Sequence, residues 1–320
     1  MREWFQKYTG ILRSLRISYW IYNLLNIGRL RQNEAFYKKH GIKKPVWQSI
    51  SHADIKSGVA EIPWMDRPGI GTREIAEHKG FAAFPADIQA QLLKWPEKGY
   101  MIIPGLMAEY VDAINSEIGL LLAEKKVDFN FTGRKIMDAW KASPILNRIF
   151  RHRKIISILE FIFDKEVAPF QTINFLKGSE QKPHRDSIHM TTEPLGYLAA
   201  IWIALEDISE GSGELVYFPG SHKFPYIMSE DYDSGNTAFK LGEQNYPNYE
   251  ARIASELDAF KPERKTFLAR KGDVLFWHAN LLHGGAPITS QELTRKSMVA
   301  HYFARGVLCY HELSQRPAVL

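Results

Sequence analysis

The residues with the most chemical potential stand in two stretches about a hundred positions apart. The first is Pro183-His184-Arg185-Asp186. Residues two apart in an extended strand point to the same side, so His184 and Asp186 present an imidazole and a carboxylate to one point. The second stretch is Val274-Leu275-Phe276-Trp277, a buried strand after the turn Lys271-Gly272-Asp273, followed by His278 and by His283-Gly284-Gly285. One more imidazole, from His278 or His283, completes two His and one carboxylate. That facial set holds iron(II) and leaves coordination positions open. A third element, Arg295-Lys296-Ser297, opens another strand, with Arg295 and Ser297 on one face. A guanidinium grips a carboxylate through two parallel hydrogen bonds and a hydroxyl adds a third, which suits the distal carboxylate of 2-oxoglutarate. Taken singly, each of these residues reads as an ordinary solvated polar group at a strand end. Only their conjunction points to a metal site.

The elements that must position these residues fall into two regions. Up to about residue 163 the pattern is mainly helical. Apolar residues Ile11, Leu12, Leu15, Tyr19, Tyr22 and Leu25 recur at helical spacing within residues 1–40, and Gly28 is the expected break. Residues 41–75, with Pro45, Pro63 and Pro68, read as an ordered connector. Helices are expected near 86–95, 107–125 and through most of 135–163, with a short strand at Gly99-Tyr100-Met101-Ile102-Ile103. After Pro169 come short apolar runs at 170–177, 197–205, 214–218, 273–278 and 295–303, punctuated by Gly, Pro, Ser and Asp, the mark of a barrel or sandwich. The expected class is α+β: a double-stranded β-helix, or jelly-roll, core with N-terminal and flanking helices. Residues 1–87 form a helical extension and connector, and residues 88–320 the jelly-roll domain.

In order and spacing, these motifs resemble the phytanoyl-CoA dioxygenase family. The resemblance runs over about residues 92–305. It is carried by His184-x-Asp186, Trp202-Ile203-Ala204-Leu205-Glu206-Asp207, Gly213-Glu214-Leu215-Val216-Tyr217-Phe218-Pro219-Gly220-Ser221-His222, Trp277-His278-x-x-Leu281-x-His283 and Arg295. It implies that His184, Asp186 and His283 bind Fe(II) and that Arg295, with Ser297, binds 2-oxoglutarate. Trp202 then flanks the cosubstrate, Gln171 touches it, and dioxygen is the oxidant. His278 is left to pack at the strand end. Two positions depart from the family: Arg185 stands where Gln is common, and Gly285 where a hydroxyl residue is. A carboxylate at Asp186 fills the position that related halogenases leave open for halide, so hydroxylation is favoured.

A single cysteine, Cys309, excludes an internal disulfide and a thiolate cluster, and a reducing, cytoplasmic setting fits best. Residues 1–45 hold ten Lys or Arg and two Glu, a net of +8, which leaves −3 for the rest of a chain whose formal charge is +5. Basic character confined to one terminal segment argues against a nucleic-acid-binding core. The expected partner is a small-molecule or lipid-like substrate. The basic N-terminal helix is expected to pack on the barrel, with a membrane surface as the alternative. A catalytically silent jelly-roll module is the other alternative, and an intact His-Asp-His set with Arg295 argues against it. Residues 223–266, rich in aromatics, read as a long insertion able to act as a lid or binding loop. His189, three positions past Asp186, is a candidate to face the substrate.

Overall fold

Alternation along the strands divides the apolar side chains between two cores. In a computed structural model, which describes residues 14–55 and 61–319, strands β1 (Tyr100–Ile103), β2 (Ile136–Met137), β3 (Val167–Phe175), β5 (Leu198–Ala204), β8 (Val274–His278) and β10 (Ser297–Ala304) make one antiparallel sheet in the order β1-β8-β5-β10-β3-β2. Ala199, Ile201, Ile203, Phe276, Met298, Ala300 and Tyr302 face a helical layer. Ala200, Trp202, Leu275, Trp277 and Val299 face the barrel interior. With both faces covered, β5 is apolar throughout rather than alternating with polar residues, and β10 is buried along its whole length with Ser297 and His301 as its polar positions.

The opposing wall is built from two three-stranded sheets. One contains β4 (Thr191–Glu193), β11 (Leu308–His311) and β12 (Arg316–Pro317), in the order β12-β11-β4. The other contains β6 (Leu215–Tyr217), β7 (Lys265–Phe267) and β9 (His283–Gly285), in the order β7-β6-β9. Together with the large sheet this is the expected jelly roll.

Helix α1 spans Arg16–Leu25. The outer layer on the large sheet includes α2 (Val111–Ala123), α3 (Pro144–Phe150) and α4 (Arg153–Phe163). Helix α5 (Asn245–Phe260) lies inside the segment read as an insertion. Ser143 caps α3 by accepting from the Leu146 N–H at 3.2 Å, with Pro144 at the first helical position.

Two expectations about the N-terminal helix need correction. The break falls at Asn26 (φ −108°, ψ 20°), ahead of Gly28. The orientation of α1 also differs from a simple amphipathic reading. Its inward side is partly polar: Asn23 donates to the Trp47 carbonyl at 2.9 Å, Trp20 Nε1 donates to Ser49 Oγ at 2.9 Å, and Arg16 is buried. Leu25, expected in the packed stripe, is 81% exposed. Ile11, Leu12 and Arg13 lie outside the described residues. Beyond α1, Leu30, Tyr37, Ile42, Val46, Ile50 and Ile55 form a cluster with Leu308 and Tyr310 of β11, so this segment packs on the barrel wall. No helix among the described residues is long and apolar enough to cross a membrane.

Candidate active site

A short backbone bridge brings the two halves of the motif together. His184 and His283 exchange backbone hydrogen bonds, each N–H donating to the other's carbonyl, at 2.9 and 3.0 Å. Arg185 is extended (φ −114°, ψ 142°), so His184 and Asp186 point the same way. The regular strand expected here is absent, because Asp186 already opens a 3-10 turn, Asp186–Ile188. Its carbonyl accepts from the N–H groups of His189 and Met190 at 2.9 and 2.8 Å, which carries the chain away from the sheet.

The side chains converge. His184 Nε2 lies 4.0 Å and His283 Nε2 3.7 Å from Asp186 Oδ1. One ligand atom from each of the three falls within 4.8 Å of the others, and all three residues are buried. His184 Nδ1 faces the Lys182 carbonyl at 2.9 Å, and His283 Nδ1 faces the Leu281 carbonyl at 3.0 Å. A carbonyl only accepts, so each Nδ1 carries the proton and each Nε2 keeps its lone pair for the shared point. Burial pushes the Asp186 carboxyl up, but His283, His301 and His184 outweigh it and hold it well below the usual range. Burial, with His283, pushes His184 down. A carboxylate and lone-pair imidazoles are the states a divalent metal requires. His278 stands apart: its Nε2 faces Asp66 Oδ2 at 3.1 Å, and its Nδ1 accepts from the Asn280 N–H.

Trp277 orients the carboxylate. Its Nε1–H donates to Asp186 Oδ2 at 2.8 Å, and His301 Nε2 faces the same oxygen at 3.5 Å. Removing a partner that orients a ligand typically weakens metal affinity by about 10- to 100-fold. Trp277→Phe keeps the bulk and deletes the donor. It should weaken Fe(II) affinity by that factor in a chelator competition, with the fold retained.

Arg295 is buried on the wall of a cavity that His184, Asp186 and His283 also line. Its Nη1 donates to Ser297 Oγ at 2.9 Å, its Nε has no hydrogen-bond partner, and it makes no ion pair among the described residues. Its charged group sits 5.2 Å from the Phe175 ring centroid and 5.7 Å from that of Trp202. Burial pulls its pKa down to about 10, leaving it cationic at neutral pH. A buried cation with an open donor calls for an anion. Trp202, on β5, has its own Nε1 unpartnered. Gln171, on β3, lies opposite His301 of β10 and also lines the cavity.

The cavity measures about 1610 Å³. His184, Asp186, His283 and Arg295 all border it, as do His189, His301, Lys135 and Phe303. His301 escaped sequence reasoning. The signal was there: Arg295, Ser297, Val299 and His301 alternate, and a polar residue at an alternate position of a strand faces the side its neighbours face.

Both departures from the family pattern have local causes. A Cβ on Gly285 would sit 2.7 Å from Ser179 Oγ and 2.9 Å from the Glu180 nitrogen. The glycine lets that segment close over β9, where the Gly285 N–H donates to the Gln181 carbonyl at 2.8 Å. Arg185 pairs with buried Glu256 of α5 at 2.5 Å and donates to the Pro225 carbonyl at 3.1 Å. Its own N–H donates to the Tyr249 hydroxyl at 3.0 Å. Tyr246 and Glu250 of the same helix border the cavity, and Glu250 pairs with Lys182 at 2.8 Å. The insertion therefore forms a helical wall of the cavity, tied to the segment between two of the converging residues.

Fold and site together define a jelly-roll protein with a two-His, one-carboxylate cluster on the wall of a deep cavity. The family model for phytanoyl-CoA dioxygenase (PhyH) matches residues 95–297, and the chain belongs to that family. It is 30% identical over 129 residues to the peroxisomal phytanoyl-CoA dioxygenase of Bos taurus, covering 39% of this chain and 34% of that protein. It is 26% identical over 159 residues to phytanoyl-CoA dioxygenase domain-containing protein 1 of Danio rerio, covering 48% and 53%. The chain thus spans between a third and about half of the length of these curated relatives. Among solved structures, it resembles the non-heme alpha ketoglutarate dependent epimerase SnoN from nogalamycin biosynthesis, with a TM-score of 0.55, 21% identity, and 70% of this chain and 86% of that one covered. It also resembles EctD from S. alaskensis with bound Fe, with a TM-score of 0.54, 18% identity, and coverage of 71% and 79%.

Proposed function

We propose that this chain is an Fe(II)- and 2-oxoglutarate-dependent dioxygenase that hydroxylates a small-molecule or lipid-like substrate. The observation that carries the reading is the convergence of His184, Asp186 and His283 on one point in a cavity that also holds the unpaired guanidinium of Arg295. In the balanced reaction, a C–H bond becomes C–OH while 2-oxoglutarate and dioxygen become succinate and carbon dioxide. One oxygen atom enters the product and the other the new succinate carboxylate. Bound iron supplies the redox chemistry and the open coordination positions.

The protein's own part is binding and orientation. His184 Nε2, His283 Nε2 and Asp186 Oδ1 would hold the metal. The Trp277 indole keeps the second carboxylate oxygen turned aside. Arg295 and Ser297 anchor the distal carboxylate of 2-oxoglutarate, with Trp202 flanking it and Gln171 within the same cavity. SnoN has been crystallised with Fe3+, alpha ketoglutarate and nogalamycin RO, and EctD with 2-oxoglutarate and 5-hydroxyectoine, which supports a small-molecule substrate for the fold. The extension at 1–87, the oxygenase domain at 88–320 and a cytoplasmic setting are parts of the same proposal.

Arg295→Ala tests the anchor. Hydrogen bonds to charged groups contribute about 1.5–3 kcal/mol, so 2-oxoglutarate affinity should fall about 10- to 150-fold. Succinate release at saturating Fe(II), measured against 2-oxoglutarate concentration, reads this out. An unchanged half-saturation concentration would remove Arg295 from the site, and no succinate from the parent protein across a broad substrate screen would remove the activity.

A further inference from the structure

Helix α1 turns its most apolar face to solvent. Ile17 and Ile21 are each 54% exposed, Leu24 47% and Leu25 81%. At 3.6 residues per turn these four fall within an arc of about 100°. Single exposed apolar residues are common on protein surfaces, but a contiguous face of four aliphatic side chains is not. The opposite side of the helix is the anchored one, through Trp20, Asn23 and Arg16.

Charge distinguishes between possible occupants. Residues 14–45 hold seven Lys or Arg and one Glu, a net of +6. Arg29, Arg31, Lys38, Lys39 and Lys43 are exposed. The sequence just ahead of this segment adds Arg2, Lys7 and Arg13 beside Trp4, Phe5, Ile11 and Leu12. A second copy would bring an equal positive charge against this one, whereas an anionic surface is complementary to it. The segment also borders the cavity, since Tyr22, Arg29, Phe36 and Lys39 line it.

We propose that the outward face of α1 docks on an anionic lipid bilayer and sets the cavity mouth against it, so that the substrate arrives from the membrane. Apolar burial supplies the hold and the basic residues the selectivity for anionic lipid. The docking stands on its own geometry, while the delivery of substrate rests on the oxygenase reading. The two are separated by reading docking on metal-free protein and cosubstrate binding in solution.

The full chain is sedimented with vesicles of phosphatidylcholine alone and of phosphatidylcholine mixed with phosphatidylglycerol. Retention is expected on the mixed vesicles and is lost at high salt, because exposed charge attraction is screened. Ile21→Asp with Leu25→Asp should weaken retention by about 10-fold or more while leaving the melting temperature and 2-oxoglutarate binding unchanged. Arg31→Glu, Lys38→Glu and Lys43→Glu together should abolish the preference for anionic lipid. Equal or absent retention on the two vesicle types overturns the proposal. So does retention of the double variant at the parent level. A parent dimer that the double variant converts to monomer also overturns it, since a second copy then covers the face.

Discussion

Replacing His184, Asp186 or His283 with Ala is expected to weaken Fe(II) binding by at least about 100-fold and to abolish succinate release. Residues that merely orient a metal ligand contribute about 10- to 100-fold to affinity, and the ligand itself contributes no less. The geometry makes each of the three indispensable, because one atom from each meets within 4.8 Å and no fourth His, Cys, Asp or Glu joins the group among the described residues. His301 approaches the other oxygen of Asp186, at 3.5 Å, so His301→Ala should reduce affinity less than any of the three. His278→Ala is the control: its ring is held by Asp66 and Asn280, so it should lower thermal stability and leave metal affinity near the parent value. Calorimetric titration of metal-free protein under anaerobic conditions checks all five variants. A larger loss of affinity in the His278 variant than in the His283 variant would reverse the choice between them.

The second large effect lies off the site. Glu256→Ala is expected to cost about 3–5 kcal/mol of stability, because it leaves the Arg185 guanidinium buried without its counter-charge. The side chains of Arg185 and Glu256 are 1% and 2% exposed, so water does not screen the pair. Arg252 also faces Glu256, at 3.9 Å, but it is 42% exposed and can turn to solvent. The replacement Arg185→Met with Glu256→Leu removes both charges together and should recover most of the loss, as buried pairs often tolerate apolar substitution. Chemical denaturation of Arg185→Met, Glu256→Leu and the double variant measures the coupling. Arg185 separates two of the converging residues, so Glu256→Ala should also weaken Fe(II) binding. A loss below about 1 kcal/mol would show that α5 is not anchored through this pair.

How far the sequence revealed this architecture depends on length and on neighbours. The runs at 197–205 and 273–278 were legible as strands because both faces are covered, which leaves an unbroken apolar stretch in β5 and β8. Strands β4, β7, β9 and β12 are two or three residues long, too short for an alternation to show. Helix α5 was hidden for a different reason. Its inward positions include Asn245 and Glu256 beside Tyr249 and Ile253, so the buried stripe is half polar, and Glu256 makes sense only once Arg185 is known to face it. In α1 the polar Asn23 turns inward because a partner from a distant segment meets it, the Trp47 carbonyl accepting from its side chain, while the helix start is tied by the Arg16 backbone N–H, which donates to the Phe239 carbonyl. The residues of the candidate site were legible because the His-x-Asp spacing, the distal His and the Arg-x-Ser pair are local patterns with a chemical reason. His301 was missed, since its alternation with Arg295, Ser297 and Val299 points to the site only once the inward face of β10 is known.

The most direct test is an anaerobic titration of the metal-free protein with Fe(II) and then 2-oxoglutarate, followed by absorption spectroscopy. A charge-transfer band in the visible region is expected that saturates at one equivalent of Fe(II) per chain, is lost in His184→Ala, Asp186→Ala and His283→Ala, and needs a higher 2-oxoglutarate concentration in Arg295→Ala. No band in the parent protein, or a band that survives in all three Ala variants of the converging residues, would contradict it.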